Sequence, residues 1–288
     1  MRFFMREAYM NYRLEMFFLT LFFLSALLFS HCSDTFAAEA SVIKPGDRAG
    51  IEFTCRFPNG DIAGSTSSAV ASDSSLRKSP VYLPRSKDDP VEVVAGPVPS
   101  QRRFPVAFLD EIAVRIAAAI PGMQPGETRT MEIRSERPAD TPEKDQFLQL
   151  ARVRPRPKEI RMTREEYKSR TGKDPRVGAE YVIDHEFPTS VVSVSENEVV
   201  IHPAVKPGSV IDTTFGKATV RENGNQLEIV FDAVVGTLVR MGPIVGRISD
   251  AQDKVFTVDF GHPFAGEPLS CEVRTVEITG DKPSRGEK

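Results

Sequence analysis

Histidine and cysteine are the residues of this 288-residue chain whose side chains could do metal, nucleophilic or redox chemistry, and both are scarce. The chain has four histidines and three cysteines, and His262 and Cys271 stand on either side of one turn. A zinc site needs several ligands at binding distance, and no C-x-x-C or H-x-x-x-H spacing occurs. A Cys–His nucleophile would need an orienting third group in a recognisable setting, which is not visible. We therefore predict no metal site, no cofactor and no nucleophilic active site.

Phosphate-binding and nucleic-acid-binding functions are also not expected. The glycine-bearing stretch GPIVGRISD, residues 242–250, lacks the Lys-Ser/Thr pair and the following helix that a phosphate-binding loop requires. The formal net charge is −3, and no block of basic residues could hold nucleic acid. The sequence therefore indicates neither a phosphate-binding loop nor a nucleic-acid-binding protein, and it does not yet indicate another function.

The first 40 residues have the order of a secretory signal peptide. Three arginines precede an apolar run from Met16 to Phe29, and small residues follow at Ala38 and Ala40. The run would reach roughly 21 Å as a helix, short of the roughly 30 Å hydrocarbon core of a membrane. We predict a signal peptide over residues 1–40 and a periplasmic or secreted protein. The alternative is a membrane-anchored protein with an uncleaved signal.

Removal of residues 1–40 would leave two cysteines, Cys55 and Cys271. An oxidising compartment favours a disulfide between cysteines far apart in sequence. Two buried free thiols that pack as small apolar groups are the other interpretation. The composition does not decide between them.

The first half of the chain reads as strands around one helix. Alternating residues over Asp47–Phe57 predict a strand, and Asn59-Gly60 predicts a hairpin turn after it. Ser65–Asp89 is rich in serine and charge and predicts a flexible loop. Over Pro105–Ile120, apolar residues recur every four positions and predict an amphipathic helix.

The second half reads as strands and turns with one further helix. Thr163 and Glu166 have capping-box spacing, and Gly172 would end that helix. From Gly178 to Val276 only strands and turns are expected. The stretches 191–203 and 245–263 each read as strand, acidic turn and strand ending in His-Pro, which indicates either a duplicated unit or ordinary hairpin sequence.

Three segments resemble one known family. VIKPGDRAGIEFTCRFPNGDIAGST (residues 42–66) and IPGMQPGETRTMEI (residues 120–133) resemble the FKBP-type peptidyl-prolyl isomerases. VDFGHPFAGEPLSCEV (residues 258–273) resembles the SlyD-like subgroup at the return from its inserted chaperone domain. The resemblance implies an α+β fold, in which one helix crosses an FKBP-like antiparallel sheet and a large β-rich domain is inserted. The implied domains are residues 41–140, the insert-in-flap-like and possibly duplicated insert 141–258, the closing strand 259–280 and a disordered tail 281–288.

The same resemblance implies an apolar prolyl pocket between the sheet and the helix. Its positions fall on Phe53, Gly64, Val91, Phe108 and Cys271, where the family usually has Tyr, Asp, an aromatic or aliphatic residue, Trp or Phe, and Phe in that order. The implied strand order also places Cys55 beside Cys271 and so implies a disulfide between them.

The function implied by the resemblance is prolyl cis–trans isomerisation and folding help for exported polypeptides. The barrier to X-Pro rotation is ~18–20 kcal/mol, and an apolar pocket can lower it by binding the twisted amide more tightly than the planar one. The alternative is a catalytically weak or inactive periplasmic chaperone or binding module. Expected partners are unfolded or proline-containing polypeptides, with no nucleic acid and no stable membrane span after signal cleavage.

Overall fold

The computed structural model describes residues 42–99, 104–139, 142–182 and 187–279. The predicted signal peptide and the predicted tail from residue 281 lie outside the described residues. Within the described part of the chain, no helix is both long enough and apolar enough to cross a membrane.

The described residues form seventeen strands, three α-helices and a 3-10 helix over Glu143–Gln146. The α-helices are α1 (Ser68–Ser72), α2 (Phe108–Ala119) and α3 (Arg164–Thr171). The strands are β1 (Arg48–Arg56), β2 (Ile62–Ser65), β3 (Val91–Val94), β4 (Thr128–Ile133), β5 (Phe147–Ala151), β6 (Val153–Pro157), β7 (Ile160–Met162), β8 (Glu180–Tyr181), β9 (Thr189–Val194), β10 (Val199–Pro203), β11 (Val210–Thr213), β12 (Gly216–Asn223), β13 (Gln226–Phe231), β14 (Leu238–Met241), β15 (Ile244–Ala251), β16 (Val255–Asp259) and β17 (Leu269–Thr279).

The predicted α+β, FKBP-like fold class is wrong, because the molecule is mostly β. Strands make up 42% of the structure and helices 12%, and the strands form several antiparallel sheets. The first sheet has the strand order β2-β1-β17-β4, and β3 also pairs with β1. The second sheet has the order β7-β10-β9-β8, the third has the order β11-β12-β13-β6, and the fourth has the order β14-β15-β16-β5. The predicted α+β class rests on three segments, residues 42–66, 120–133 and 258–273, together with an expected β-rich insert over residues 141–258. Strands β5 to β16, between Phe147 and Asp259, form three of the four sheets, and the described chain there has only one short α-helix, α3, so strands outweigh helices in the molecule.

The first sheet combines strands from both ends of the described chain. β1 pairs along its whole length with β17, and β4 lies on the far side of β17. β2 and β3 share the other edge of β1, each beside a different half of it. Side chains on β1 alternate between buried and partly exposed, as a strand with one covered face requires.

Helix α2 lies against the buried face of the first sheet, where its apolar residues join the core. Phe108, Ile112 and Ile116 are completely buried at the spacing of one helix face. The predicted helix is therefore present, although it begins at Phe108 rather than Pro105. Its N-cap residue, Ala107, has no side chain that could accept from the first backbone N–H groups.

The third and fourth sheets share one aromatic core. The rings of Phe215, Phe231 and Phe256 lie 5.5–5.9 Å apart, and Arg154 stacks 4.5 Å from the centroid of Phe231. Arg152 joins β5 to β6: its N–H donates to Lys254 and its carbonyl accepts from Phe231, so the two sheets are continuous there. The strands predicted after Gly178 are confirmed in the described residues.

The second sheet has a separate small core covered by α3. The Thr163 hydroxyl accepts from the Glu166 N–H at 3.1 Å, and Gly172 ends the helix in the left-handed conformation with φ +69°. Both predicted signals for this helix are confirmed. Tyr167 packs against Tyr181 with ring centroids 5.5 Å apart, which fixes the helix on the sheet.

One type of turn occurs six times in the described chain and supports all four sheets. In each turn a glycine with φ between +78° and +97° occupies the third position, and the next residue donates its N–H back to the first. This is type II geometry, which favours glycine at that position. The glycine N–H and the carbonyl of the following residue also bond one residue of a neighbouring segment, so each turn is held in the same way. The six turns are Lys44–Asp47, Ile120–Met123, Gln124–Glu127, Arg176–Ala179, Lys206–Ser209 and Val234–Thr237, and the residues that they bond are Ala95, Ile43, Thr275, Val191, Val220 and Ile248 in that order.

Candidate functional site

The structure brings the predicted pocket positions together in one core beneath α2. Phe53, Phe108 and Cys271 belong to this core, and Val91 packs against it. Gly64 lies on β2, directly beside Cys55 of β1. The positions are neighbours, but packed side chains enclose two of them, Phe108 and Gly64.

The ring of Phe108, one of the predicted pocket residues, packs against two other aromatic rings. The ring of Phe57 stacks on it with centroids 6.4 Å apart, and the edge of Phe264 meets it at 5.9 Å. Phe108 and Phe264 both have 0% exposure. A substrate proline could reach Phe108 only if a neighbouring side chain moved.

Gly64 has no room for the aspartate that the resemblance places at this position. A Cβ atom there would lie 3.0 Å from Leu109 Cδ2 and 3.4 Å from Ile112 Cδ1. A longer carboxylate would enter an apolar core and lose its hydration without gaining a partner. Glycine at position 64 is therefore part of the close packing between β2 and α2.

Cys55 and Cys271 form a disulfide across the first sheet. They are direct register partners on β1 and β17, with Cα atoms 4.0 Å apart, and neither is exposed. Of the two interpretations that composition left open, the structure has the disulfide. Cys271 therefore acts as a covalent link between strands, and its sulfur cannot serve as a free wall of a pocket.

The hairpin formed by β14 and β15 closes the remaining side of this core. Its turn residues, Gly242 and Pro243, reach the start of α2, where the Phe108 N–H donates to the Pro243 carbonyl at 2.8 Å. Val245 is 1% exposed and belongs to the core beneath α2, and Leu238 packs against the same core. The hairpin therefore packs against the core in which the prolyl pocket was expected.

Three ionisable side chains near the hairpin and α2, those of Arg240, Tyr82 and Glu111, are buried or partly buried. Burial lowers the pKa of Arg240, whose Nη1 donates to the Val81 carbonyl at 2.6 Å. Burial likewise raises the pKa of the Tyr82 hydroxyl. The buried carboxylate of Glu111 on α2 accepts from Arg115 Nε at 2.7 Å and from the Ser135 hydroxyl. Arg115 and Ser135 thus both bond one carboxylate oxygen of Glu111, whereas the Tyr82 hydroxyl and Arg240 Nε have no hydrogen-bond partner among the described residues.

His262 belongs to a turn and shows no ligand-like surroundings. Its carbonyl accepts from Ala265, and Ala265 itself has φ +52°, a conformation that few non-glycine residues adopt. Burial, followed by the nearby Arg137 charge, lowers the pKa of His262, and Asp259 partly opposes this. In the described part of the chain, no three His, Cys, Asp or Glu side chains are grouped to hold a metal ion.

Two open concavities lie elsewhere on the surface. One, of about 220 Å³, lies on the outer face of the first sheet beside Glu52, Asp88 and Glu272. The other, of about 810 Å³, lies beside Tyr167 and Arg170 of α3. The Arg170 guanidinium is bonded there to Tyr181 and Glu166. Neither concavity contains a residue of the predicted pocket apart from Phe53, which lines the first.

Sequence reasoning missed the residues that fill the predicted pocket. Phe57, Phe264 and Val245 are separated by long stretches of chain and meet only in the fold. The one signal that could have indicated the hairpin is Gly242-Pro243, a turn dipeptide between two apolar stretches. It predicts a hairpin but not the helix that the hairpin contacts.

Comparison with known proteins adds no family, since neither a family model nor a curated protein matches the chain.

Proposed function

We propose that the protein is a folding helper that binds unfolded exported polypeptides, and that in the conformation described above it does not catalyse prolyl isomerisation. The observation that carries this proposal is the closed core around Phe108, in which Phe57 and Phe264 contact the ring and Val245 belongs to the same core. The resemblance of residues 258–273 to the SlyD-like isomerases supports the polypeptide-binding part.

Catalysis of prolyl rotation depends on access to an apolar site. The enzyme must bind the twisted amide more tightly than either planar isomer, and it must therefore enclose the proline ring. The Phe108 side chain is 0% exposed, and the backbone N–H at the start of α2 is already bonded to Pro243. Isomerase activity, which the resemblance implies first, is thus less well supported than binding.

Two strand edges offer a means of binding extended chains. Among the described residues β3 pairs only with β1, and β11 pairs only with β12, so each leaves one row of backbone groups without a strand partner. Val94 on β3 is 58% exposed and Val210 on β11 is 59% exposed. An extended polypeptide can add to such an edge through main-chain hydrogen bonds, with apolar side chains adding contact area.

The proposal is tested with the chain lacking residues 1–40, purified with its disulfide intact. Two assays are run on the same preparation: proline-limited refolding of an unfolded protein, and aggregation of a second, proline-independent client. We expect suppressed aggregation and an unchanged rate of proline isomerisation. Accelerated isomerisation, or no effect on aggregation, would contradict the proposal.

Binding of extended chains at the open edges of β3 and β11 is tested with a variant at both edges and a control variant in an inner strand. Val94→Lys with Val210→Lys adds charge at both open edges, which discourages strand addition, and should weaken aggregation suppression several-fold. Val192→Lys is the control, because Val192 is 40% exposed on β9, which lies between β8 and β10. Equal loss in the control would show that added charge, and not the strand edge, causes the effect.

A further inference from the structure

We propose that Asn223, at the tip of the hairpin formed by β12 and β13, is a site of spontaneous deamidation, and that the carboxylate formed there weakens the hairpin. The dipeptide Asn-Gly occurs twice in the chain, at Asn59-Gly60 and Asn223-Gly224, and both lie at turns that join consecutive strands. Glycine has no Cβ atom to hinder the approach of its nitrogen to the preceding side chain. Both dipeptides are therefore reactive by sequence, and their surroundings in the fold distinguish them.

The reaction requires only the chain itself and water. The Gly224 nitrogen attacks Asn223 Cγ and forms a cyclic succinimide, while the Cγ–Nδ2 bond breaks. The proton of the Gly224 N–H passes to Nδ2, which leaves as ammonia. Water then adds to one of the two ring carbonyl carbons and opens the ring to aspartate or isoaspartate. No atom is oxidised or reduced, and the product carries a negative charge where a neutral amide stood.

Hydrogen bonds hold Asn59 away from this reaction. Its Oδ1 accepts from the Asp61 N–H at 3.0 Å, and its Nδ2 donates to Asp61 Oδ2 at 2.8 Å. The Gly60 N–H, which carries the attacking nitrogen, donates to the Phe57 carbonyl at 2.9 Å. Both the attacking and the attacked groups are thus engaged, and these hydrogen bonds must be lost before the ring can form.

Asn223 has fewer restraints. Its Nδ2 donates to Glu228 Oε1 at 2.6 Å, but within the described ranges its Oδ1 has no donor and the Gly224 N–H has no acceptor. Both residues of this dipeptide are exposed. Gly224 has φ +56°, and no atom lies within 4 Å of the place where a Cβ would be. Ring closure therefore disrupts one side-chain hydrogen bond here, and the turn has open space in which to rearrange.

The product weakens the hairpin because of Glu228. The Asn223 amide donates to the Glu228 carboxylate, whereas an ionised aspartate cannot donate and would place two negative charges in contact. Lys158, the cation at this turn, is already bonded to Glu222 and to the Gly224 carbonyl. Isoaspartate would in addition lengthen the main chain where Asn223 and Gln226 close the register of the hairpin.

The experiment follows both dipeptides in one sample. The chain lacking residues 1–40 is incubated at mildly alkaline pH in heavy-oxygen water, either folded or in urea, and the conversion of Asn59 and Asn223 is measured by peptide mass spectrometry. We expect conversion of the folded protein to be several-fold faster at Asn223 than at Asn59, with heavy oxygen incorporated, and similar rates at both sites in urea. Equal rates in the folded protein, a faster reaction at Asn59, or conversion without the label would overturn the proposal.

The effect of the product is measured with Asn223→Asp, which should lower the urea midpoint. Asn225→Asp is the matched control, because it adds the same charge at an exposed turn position nearby and removes no hydrogen bond with Glu228. Adding Glu228→Gln to Asn223→Asp removes the opposing charge and should restore most of the lost stability. Equal losses in Asn223→Asp and Asn225→Asp, or no recovery with Glu228→Gln, would overturn the claim that the new carboxylate weakens the hairpin through Glu228.

Discussion

Reduction of the Cys55–Cys271 disulfide should destabilise the protein strongly, because this bond closes almost all of the described chain into a loop. The two cysteines are 216 residues apart in sequence. In the chain-entropy model, a cross-link of that span lowers the entropy of the unfolded chain enough to contribute about 5 kcal/mol at 25 °C. Both sulfurs are buried between β1 and β17, so the bond also holds the two central strands of the first sheet in register.

The assay is equilibrium urea unfolding with and without a phosphine reductant. With a urea dependence of roughly 2–3 kcal/mol/M, a loss of about 5 kcal/mol lowers the midpoint by about 2 M. The Cys55→Ala/Cys271→Ala variant serves as the control and should be insensitive to reductant. Hydrogen exchange should show lost protection in β1 and β17 before β9 and β10, which lie in a different sheet. Equal midpoints for oxidised and reduced protein would refute the loop-closure reasoning.

Three further predictions concern single side chains. Gly64→Asp should destabilise the protein by more than about 3 kcal/mol in urea unfolding, because the new carboxylate would meet Leu109; Gly60→Asn, at an open position with φ +86°, should change stability by less than about 1 kcal/mol. Arg137→Ala should cost about 1–3 kcal/mol, since the half-buried guanidinium bonds Asp259 and Gln146; an equal cost for Arg134→Ala, whose ion pair with Glu132 is exposed, would contradict this. Because the pKa of His262 is lowered in the folded protein, the unfolded chain binds a proton on this side chain more readily, and stability should fall as pH drops below about 6.5. In the His262→Gln variant, the dependence of the melting temperature on pH should be weaker over that range. An unchanged pH dependence in this variant would show that other groups cause the loss of stability.

Local features of the fold were predictable because nearby residues determine them. The Thr163 cap, the Gly172 stop and the repeated apolar positions of α2 act within one or two helical turns. The Asn59-Gly60 hairpin is similarly local, and Gly60 has φ +86°. In each case the backbone and its close neighbours supply most of the relevant interactions.

The packing between distant segments was not predictable in the same way. The apolar residues at the start of β15 indicate burial of Val245, but they do not show that its side chain enters the core beneath α2. The core around Phe108 is closed because Phe57, Phe264 and the β14–β15 hairpin pack there. No local sequence pattern predicts that these distant segments are in contact. The short helix α1 was also missed, because Ser68–Ser72 has no apolar periodicity and no buried residue.

The fold class failed for a related reason. The segments that resemble FKBP-type isomerases lie mainly in the first sheet and next to α2, and for the chain between the second and third segments the resemblance implied a β-rich insert. Strands β5 to β16, between Phe147 and Asp259, form the second, third and fourth sheets. These three sheets make the molecule mostly β. A resemblance confined to three short segments can describe those segments without describing the whole molecule.

The central claim, a polypeptide binder whose prolyl pocket is closed, is tested most directly by adding the protein at equal concentration to a client whose refolding is limited by one prolyl bond. We expect the slow refolding rate constant to be unchanged while aggregation of a proline-independent client falls. A rate constant that increases in proportion to the concentration of the protein would contradict the account, because it would show that the core around Phe108 admits a substrate proline and catalyses its rotation.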